Sequence, residues 1–211
     1  RVLFVKPPDR FLEDEFVYQQ LGPHYLQSFL AQHEIASDLI VLYERPEVRQ
    51  RRVSGEIDKF GLDDLDMLYL LADGASLNTP FNPDLFASYD IVAFSVMTPQ
   101  APDAYHINEL IRREFPHITT VIGGSHPRYY LKQVEALPPD VSFDFIVPQD
   151  GWNPMLQIAS GEVRKVSKPT VLVHSFARLE DLPPPSRPTA LLDRYNFMIA
   201  GAPAYHTISA L

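Results

Sequence analysis

Cysteine is absent from this 211-residue chain. Its absence excludes disulfides, thiolate zinc centres and any iron–sulfur cluster ligated from within the chain. Positive charge is scarce: 18 Lys and Arg stand against 27 Asp and Glu, a net charge of -9 and a pI near 5.2. Nucleic-acid affinity comes largely from Lys and Arg neutralising phosphates, so no nucleic-acid partner is expected. No apolar run approaches the roughly 18 residues that a membrane span needs. The opening Arg1-Val2-Leu3-Phe4-Val5-Lys6 turns polar too early for a secretory signal. The expectation is a soluble cytoplasmic protein without a membrane span, with 45% hydrophobic residues to build a core.

Several motifs are missing as well. No G-x-G-x-x-G follows the first apolar run and no G-x-x-x-x-G-K-[ST] occurs, so the loops that cradle dinucleotide or nucleotide phosphates are lacking. The first loop reads Lys6-Pro7-Pro8-Asp9, and proline cannot donate the N–H groups such a cradle uses. Gly123-Gly124-Ser125-His126 is not the G-x-S-x-G of a hydrolase elbow. The seven histidines show no H-E-x-x-H spacing, which favours scattered core and surface positions over a metal site. The third strand ends in Ser95-Val96-Met97-Thr98, without the aspartate of a phosphorylated receiver domain.

Short apolar runs alternate with helix-period segments, the pattern of a parallel sheet wrapped by crossover helices. Val2-Leu3-Phe4-Val5, apolar without alternation, reads as a central strand buried on both faces. Gly22-Pro23 opens a helix carrying Tyr25, Leu26, Phe29, Leu30 and His33 on one side. Strands are expected at 39–43, 89–96, 119–122 and 143–147, and helices at 101–115, 127–136 and 154–160. Within 44–88, Leu62, Leu65, Leu68, Tyr69 and Leu71 suggest a further helix, with Asp63, Asp64 and Asp66 complementing the dipole at its start. The fold class is α/β: a doubly wound, flavodoxin-like or Rossmann-like parallel sheet of five strands with helices on both faces. In such sheets ligands bind beyond the carboxyl ends of the strands. Prolines gather in Leu182-Pro183-Pro184-Pro185-Ser186-Arg187-Pro188, so 175–195 reads as an extended linker. Neither end resembles a natural terminus, and a module excised from a longer protein is expected.

Two loops at the ligand-binding edge stand out. Ser95-Val96-Met97-Thr98-Pro99-Gln100 offers two hydroxyls, a thioether and a helix start. Val121-Ile122-Gly123-Gly124-Ser125-His126 removes two side chains at a strand end, which leaves room for a flat ligand group against the backbone.

In order and spacing these pieces, with Val2 to Pro8, the helix from Gly22, Phe143 to Gly151 and the proline-rich stretch leading to Tyr195–Leu211, resemble the cobalamin-binding domain at the N-terminus of cobalamin-dependent radical SAM enzymes. In that family a run like Ile208-Ser209-Ala210 leads into the C-x-x-x-C-x-x-C loop of the iron–sulfur cluster. The resemblance divides the chain into a cobalamin-binding Rossmann-like domain, residues 1–174, and a linker with the start of a radical SAM barrel, 175–211. It implies that the dimethylbenzimidazole tail enters a slot beside Gly123 and Gly124, with Ser95 and Thr98 bonding tail or corrin. The corrin would lie near Pro7, Pro8, Met97 and Gln149. Val96, Ser125, His126 and Gly151 complete the implied cofactor-binding set. No residue matches the histidine of D-x-H-x-x-G, so base-off binding without a histidine ligand is implied. The family's G-E-G-E-like turn is replaced here by Gln149-Asp150-Gly151-Trp152. Catalysis would belong to the barrel of the same parent chain, with its 4Fe-4S cluster, S-adenosylmethionine and small-molecule substrate. The implied reaction is methyl transfer to an unactivated carbon or phosphorus, or a cyclisation. The alternative is a degenerate docking or structural domain of such an enzyme that binds no cobalamin.

Overall fold

The computed structural model describes residues 1–12, 14–17, 21–57, 67–73, 78–133 and 142–174, and beyond these 180, 182–186, 188, 194–195, 198–199 and 202–203. Its centre is β1 (Val2–Lys6), a wholly buried run of five. β2 (Ser37–Glu44) pairs parallel with one edge of β1 and β5 (Ile91–Ser95) with the other. The parallel order continues through β6 (Thr119–Gly123), β7 (Phe145–Ile146) and β8 (Thr170–Val171). On the far side of β2, β3 (Met67–Leu71) and β4 (Thr79–Pro80) add antiparallel. The result is an α/β fold on a mostly parallel eight-stranded sheet, in the order β4-β3-β2-β1-β5-β6-β7-β8.

The expected five strands therefore become eight. All five expected positions carry strands, contiguous as β2-β1-β5-β6-β7, and three short strands flank them. Part of the helix expected within 44–88 is strand: Leu68, Tyr69 and Leu71 lie in β3, inside the unbroken apolar run Met67-Leu68-Tyr69-Leu70-Leu71. Pairing with the open edge of β2 decides the outcome, because an apolar run of five suits a strand as well as a helical turn. Leu62, Leu65 and the three aspartates lie outside the described residues. Among the described residues of this stretch the α-helix is α2 (Pro46–Val53), with proline at its start, Glu47 in the first turn and Arg51 and Arg52 in the last.

Successive strand residues point to opposite faces, so the sheet has two cores. On one face Leu3, Val5, Val92, Phe94 and Ile122 meet Ala104, Ile107 and Ile111 of α3 (Ala101–Glu114). On the other, Val2, Phe4, Ala93 and Val121 meet Leu30 of α1 (Leu21–Gln32) and Met155 and Ile158 of α5 (Trp152–Ala159). α4 (Ser125–Gln133) follows β6 directly. The expected linker begins to be described at 180; Pro183–Ser186 has no regular structure, and Ser186 N–H donates to the His24 carbonyl at 3.2 Å. Tyr195 joins the second core, its ring 5.8 Å from that of Phe16. Among the described residues no helix is long and apolar enough to cross a membrane.

Candidate functional site

The carboxyl ends of the strands form one edge of the sheet, and the two halves of that edge are built differently. Over β1 and β2 it is filled with charge. Lys6 Nζ lies 2.5 Å from Asp9 Oδ2, with both side chains inaccessible to solvent. Asp9 Oδ1 accepts from Gln100 Nε2 at 2.5 Å, and Gln100 also donates to the Pro7 carbonyl at 3.2 Å. Gln100 Oε1 in turn accepts the Met97 N–H at 2.8 Å, which ties the loop after β5 to the loop after β1. Glu15 accepts the backbone N–H groups of Asp9 at 2.7 Å and Glu44 at 2.9 Å. Glu44 pairs with Arg52 of α2, and Arg10 with Asp103 of α3 at 2.5 Å. Burial raises the Glu15 carboxyl against the pull of Lys6, and it holds Asp103 at about 6 despite Arg10. Pro7 and Pro8 are buried in this packing.

Toward β5, β6 and β7 the edge opens into a cavity of about 220 Å3 between the sheet and the α1–α5 layer. Its floor is Phe4, Ala93, Ser95, Val121, Gly123 and Val147, and its cover Gly22, Leu26, Trp152 and Met155. The space follows from side-chain size. Ala93 and Ser95 on β5 and Gly123 on β6 are the second-core positions nearest the strand ends, and none can reach the helices. Trp152 is held from above by the edges of Tyr25 and Phe29, whose rings lie 5.7 and 5.6 Å away. Gln149, Asp150 and Gly151 form the rim.

The two central glycines differ in role. Gly123 is ordinary strand, and the nearest atom a Cβ there would meet is the Val147 carbonyl oxygen at 3.5 Å, a normal contact. Gly124 has φ +93°, and a Cβ there would stand 2.6 Å from the Val96 carbonyl oxygen and 2.7 Å from the Val96 nitrogen. Gly123 keeps the cavity open; Gly124 lets the chain turn into α4 while His126 N–H reaches the Val96 carbonyl at 2.9 Å.

Of the twelve residues expected at the site, the cavity gathers Ser95, Gly123, Gly124, Gln149 and Gly151. Pro7, Pro8, Val96, Met97, Thr98, Ser125 and His126 do not line it. Val96 belongs to the opposite core, Met97 is half-buried, and Thr98 and Ser125 are exposed. His126 is buried against Tyr105 of α3, and burial lowers its pKa. Sequence reasoning passed over Phe4, Ala93, Val121, Val147 and Met155. Their signal is the period of two: Ala93 shares a face with Ser95, and Val121 with Gly123.

The lining is apolar, with polar groups confined to Ser95 and the rim, so the site suits a flat apolar group with hydrogen bonds at the mouth. His126 bonds Tyr105 from the α3 face, away from Ser95, and gives that hydroxyl no general base. Among the described residues no group of three His, Asp or Glu side chains is placed to hold a metal ion. No protein-family model, no curated protein and no solved structure matches the chain.

Proposed function

We propose that the chain is the cobalamin-binding module of a radical SAM enzyme, built as a doubly wound Rossmann-like unit whose five central strands carry the cofactor at their carboxyl edge. The observation that carries this reading is the apolar cavity floored by Ala93, Ser95 and Gly123, open at the strand ends. A planar bicyclic base fits such a slot: small residues give it depth, Leu26, Trp152 and Met155 give it apolar walls, and Ser95, Gln149 and Asp150 offer hydrogen bonds where a sugar and phosphate would emerge. Gly123, Gly124 and Ser95 would hold the tail. Met97 and Thr98, beyond the end of β5, would face the macrocycle. The filled region around Pro7 and Pro8 would act as a rigid shelf rather than a slot.

Methylcobalamin, when bound, supplies a transferable methyl group. The residues of this chain bind and orient. Among the described residues the cavity brings together no acid, base and nucleophile set, and in this reading the reaction belongs to the barrel of the parent chain, which would bring the 4Fe-4S cluster, S-adenosylmethionine and substrate. In this reading that reaction is methyl transfer to an unactivated carbon or phosphorus.

The test is gel filtration of the chain with hydroxocobalamin and with methylcobalamin, followed by an absorbance spectrum of the protein peak. Co-elution with a base-off spectrum is expected. Failure to co-elute overturns the reading in favour of a docking domain, and a base-on spectrum overturns the slot for the tail.

A further inference from the structure

His126 is 1% exposed, and its two ring nitrogens face two hydroxyls. The Tyr105 hydroxyl lies 2.5 Å from Nε2, and Thr98 Oγ1 lies 3.3 Å from Nδ1. The three residues come from three elements: Tyr105 from α3, His126 from the first turn of α4, and Thr98 from the short 3-10 helix Thr98–Gln100 beyond β5. Tyr105 also packs its ring against the imidazole, with centroids 5.7 Å apart. Burial favours the neutral ring, which has one donor and one acceptor nitrogen.

The chemistry of the two hydroxyls selects the tautomer. A phenol is more acidic than an aliphatic alcohol, so it is the better donor and the poorer acceptor. Tyr105 therefore donates to Nε2, and Nδ1–H donates to Thr98. The threonine oxygen then accepts from the protein, and its own hydrogen is left for a partner on the other side. Thr98 is exposed at the carboxyl edge, beyond the end of β5.

We infer that His126 is a positioning residue, which with Tyr105 fixes the Thr98 hydroxyl as a donor directed outward to an acceptor oxygen of the bound ligand. The identity of that ligand rests on the reading above; the orientation of the hydroxyl does not. Cobalamin carries acceptor oxygens on its corrin amides and on its tail phosphate, and cobinamide, which lacks the nucleotide tail, separates the two.

The relay is tested first in the unliganded chain. Long-range proton–nitrogen NMR of the histidine-labelled protein at neutral pH, with His126 assigned through its cross-peaks to the Tyr105 ring, should show a proton on Nδ1 and none on Nε2. A proton on Nε2, or on both nitrogens, overturns the proposal whether or not cobalamin binds. Tyr105→Phe should shift the ring toward the Nε2–H form. In titrations with hydroxocobalamin, Thr98→Val and Tyr105→Phe should each weaken binding about five-fold, the cost of one neutral hydrogen bond, while Thr98→Ser keeps wild-type affinity. An equal loss with cobinamide assigns the acceptor to a corrin amide, and a loss confined to cobalamin assigns it to the tail. Unchanged affinity in Thr98→Val overturns the proposal. If wild type takes up no cobalamin, the functional reading falls, and the ring-nitrogen spectrum still decides the relay.

Discussion

The two halves of the carboxyl edge solve opposite problems with equally buried backbone. Over β1 and β2, Lys6, Asp9, Glu15, Glu44 and Arg52 fill the space with charges that pair with one another, and the Gln100 amide bonds to Asp9 among them. Over β5, β6 and β7 the chain places its smallest side chains and leaves the space open. A paired buried ion adds little net stability, but it fixes geometry, because every partner has to be in place. The difference between the halves is that of a rigid frame beside a receptive cleft. The frame joins the loops after β1 and β5 through the two ends of one glutamine side chain.

The largest effect is expected from breaking the frame. Lys6→Ala leaves Asp9 as an unpaired charge that is 0% exposed, and it should cost about 4 kcal/mol in urea unfolding. The double variant Lys6→Met with Asp9→Leu should recover much of that loss, since it removes both charges together. Equal losses in the single and double variants would show that the loop needs the ion pair itself rather than mere neutrality.

Next come the two glycines, which set frame-like strain against cleft-like space within one dipeptide. Gly124→Ala forces a Cβ to within 2.6 Å of backbone oxygen at φ +93° and should cost about 3 kcal/mol. The Cβ of Gly123→Leu meets only ordinary contacts and the rest of the side chain has the cavity to enter, so stability should stay within about 1 kcal/mol of wild type. Its side chain would occupy the cavity, so cobalamin affinity should fall at least about ten-fold while the fold survives. Urea denaturation and cobalamin titration on the same preparations check both. A Gly124 variant with wild-type stability, or a Gly123→Leu variant with wild-type affinity, would undo the division of roles.

The sequence announced the cleft better than the frame, for a physical reason. Small residues at strand ends are local signals: Ser95, Gly123 and Gly124 stand out from their neighbours without any knowledge of what packs across from them. The frame is non-local. Lys6, Asp9 and Glu15 look like solvated loop residues until Gln100, more than ninety positions from Lys6, is brought beside them. The Pro7-Pro8 loop is legible as an unusual strand end, but its burial is not, since proline count says nothing of which side chains will cover it. β3 escaped because a five-residue apolar run does not distinguish strand from helix, and only the free edge of β2 decides. Likewise β8, two residues long, exists only through its pairing with β7.

The smallest effect, and the one that sets the two halves against each other, is the dependence of stability on pH. In the frame, burial raises Asp103 from 3.8 to about 6 and moves Glu15 in the same direction. Between about pH 4 and 6 the native chain therefore keeps protons that the unfolded chain has released, and this contribution to stability falls as pH rises through that window. Behind the loops that follow β5 and β6, burial lowers His126 below 6.5. There the unfolded chain takes up a proton that the native ring resists, so this contribution is complete above about pH 6.5 and is lost as pH falls. The opposed slopes should flatten the urea midpoint across mildly acidic pH. Asp103→Asn removes one of them, so the midpoint of that variant should climb more steeply from pH 4 to 6 than that of wild type. Parallel curves for the two proteins would mean that Arg10 keeps Asp103 ionised throughout, and that Glu15 rather than Asp103 carries the titration of the frame.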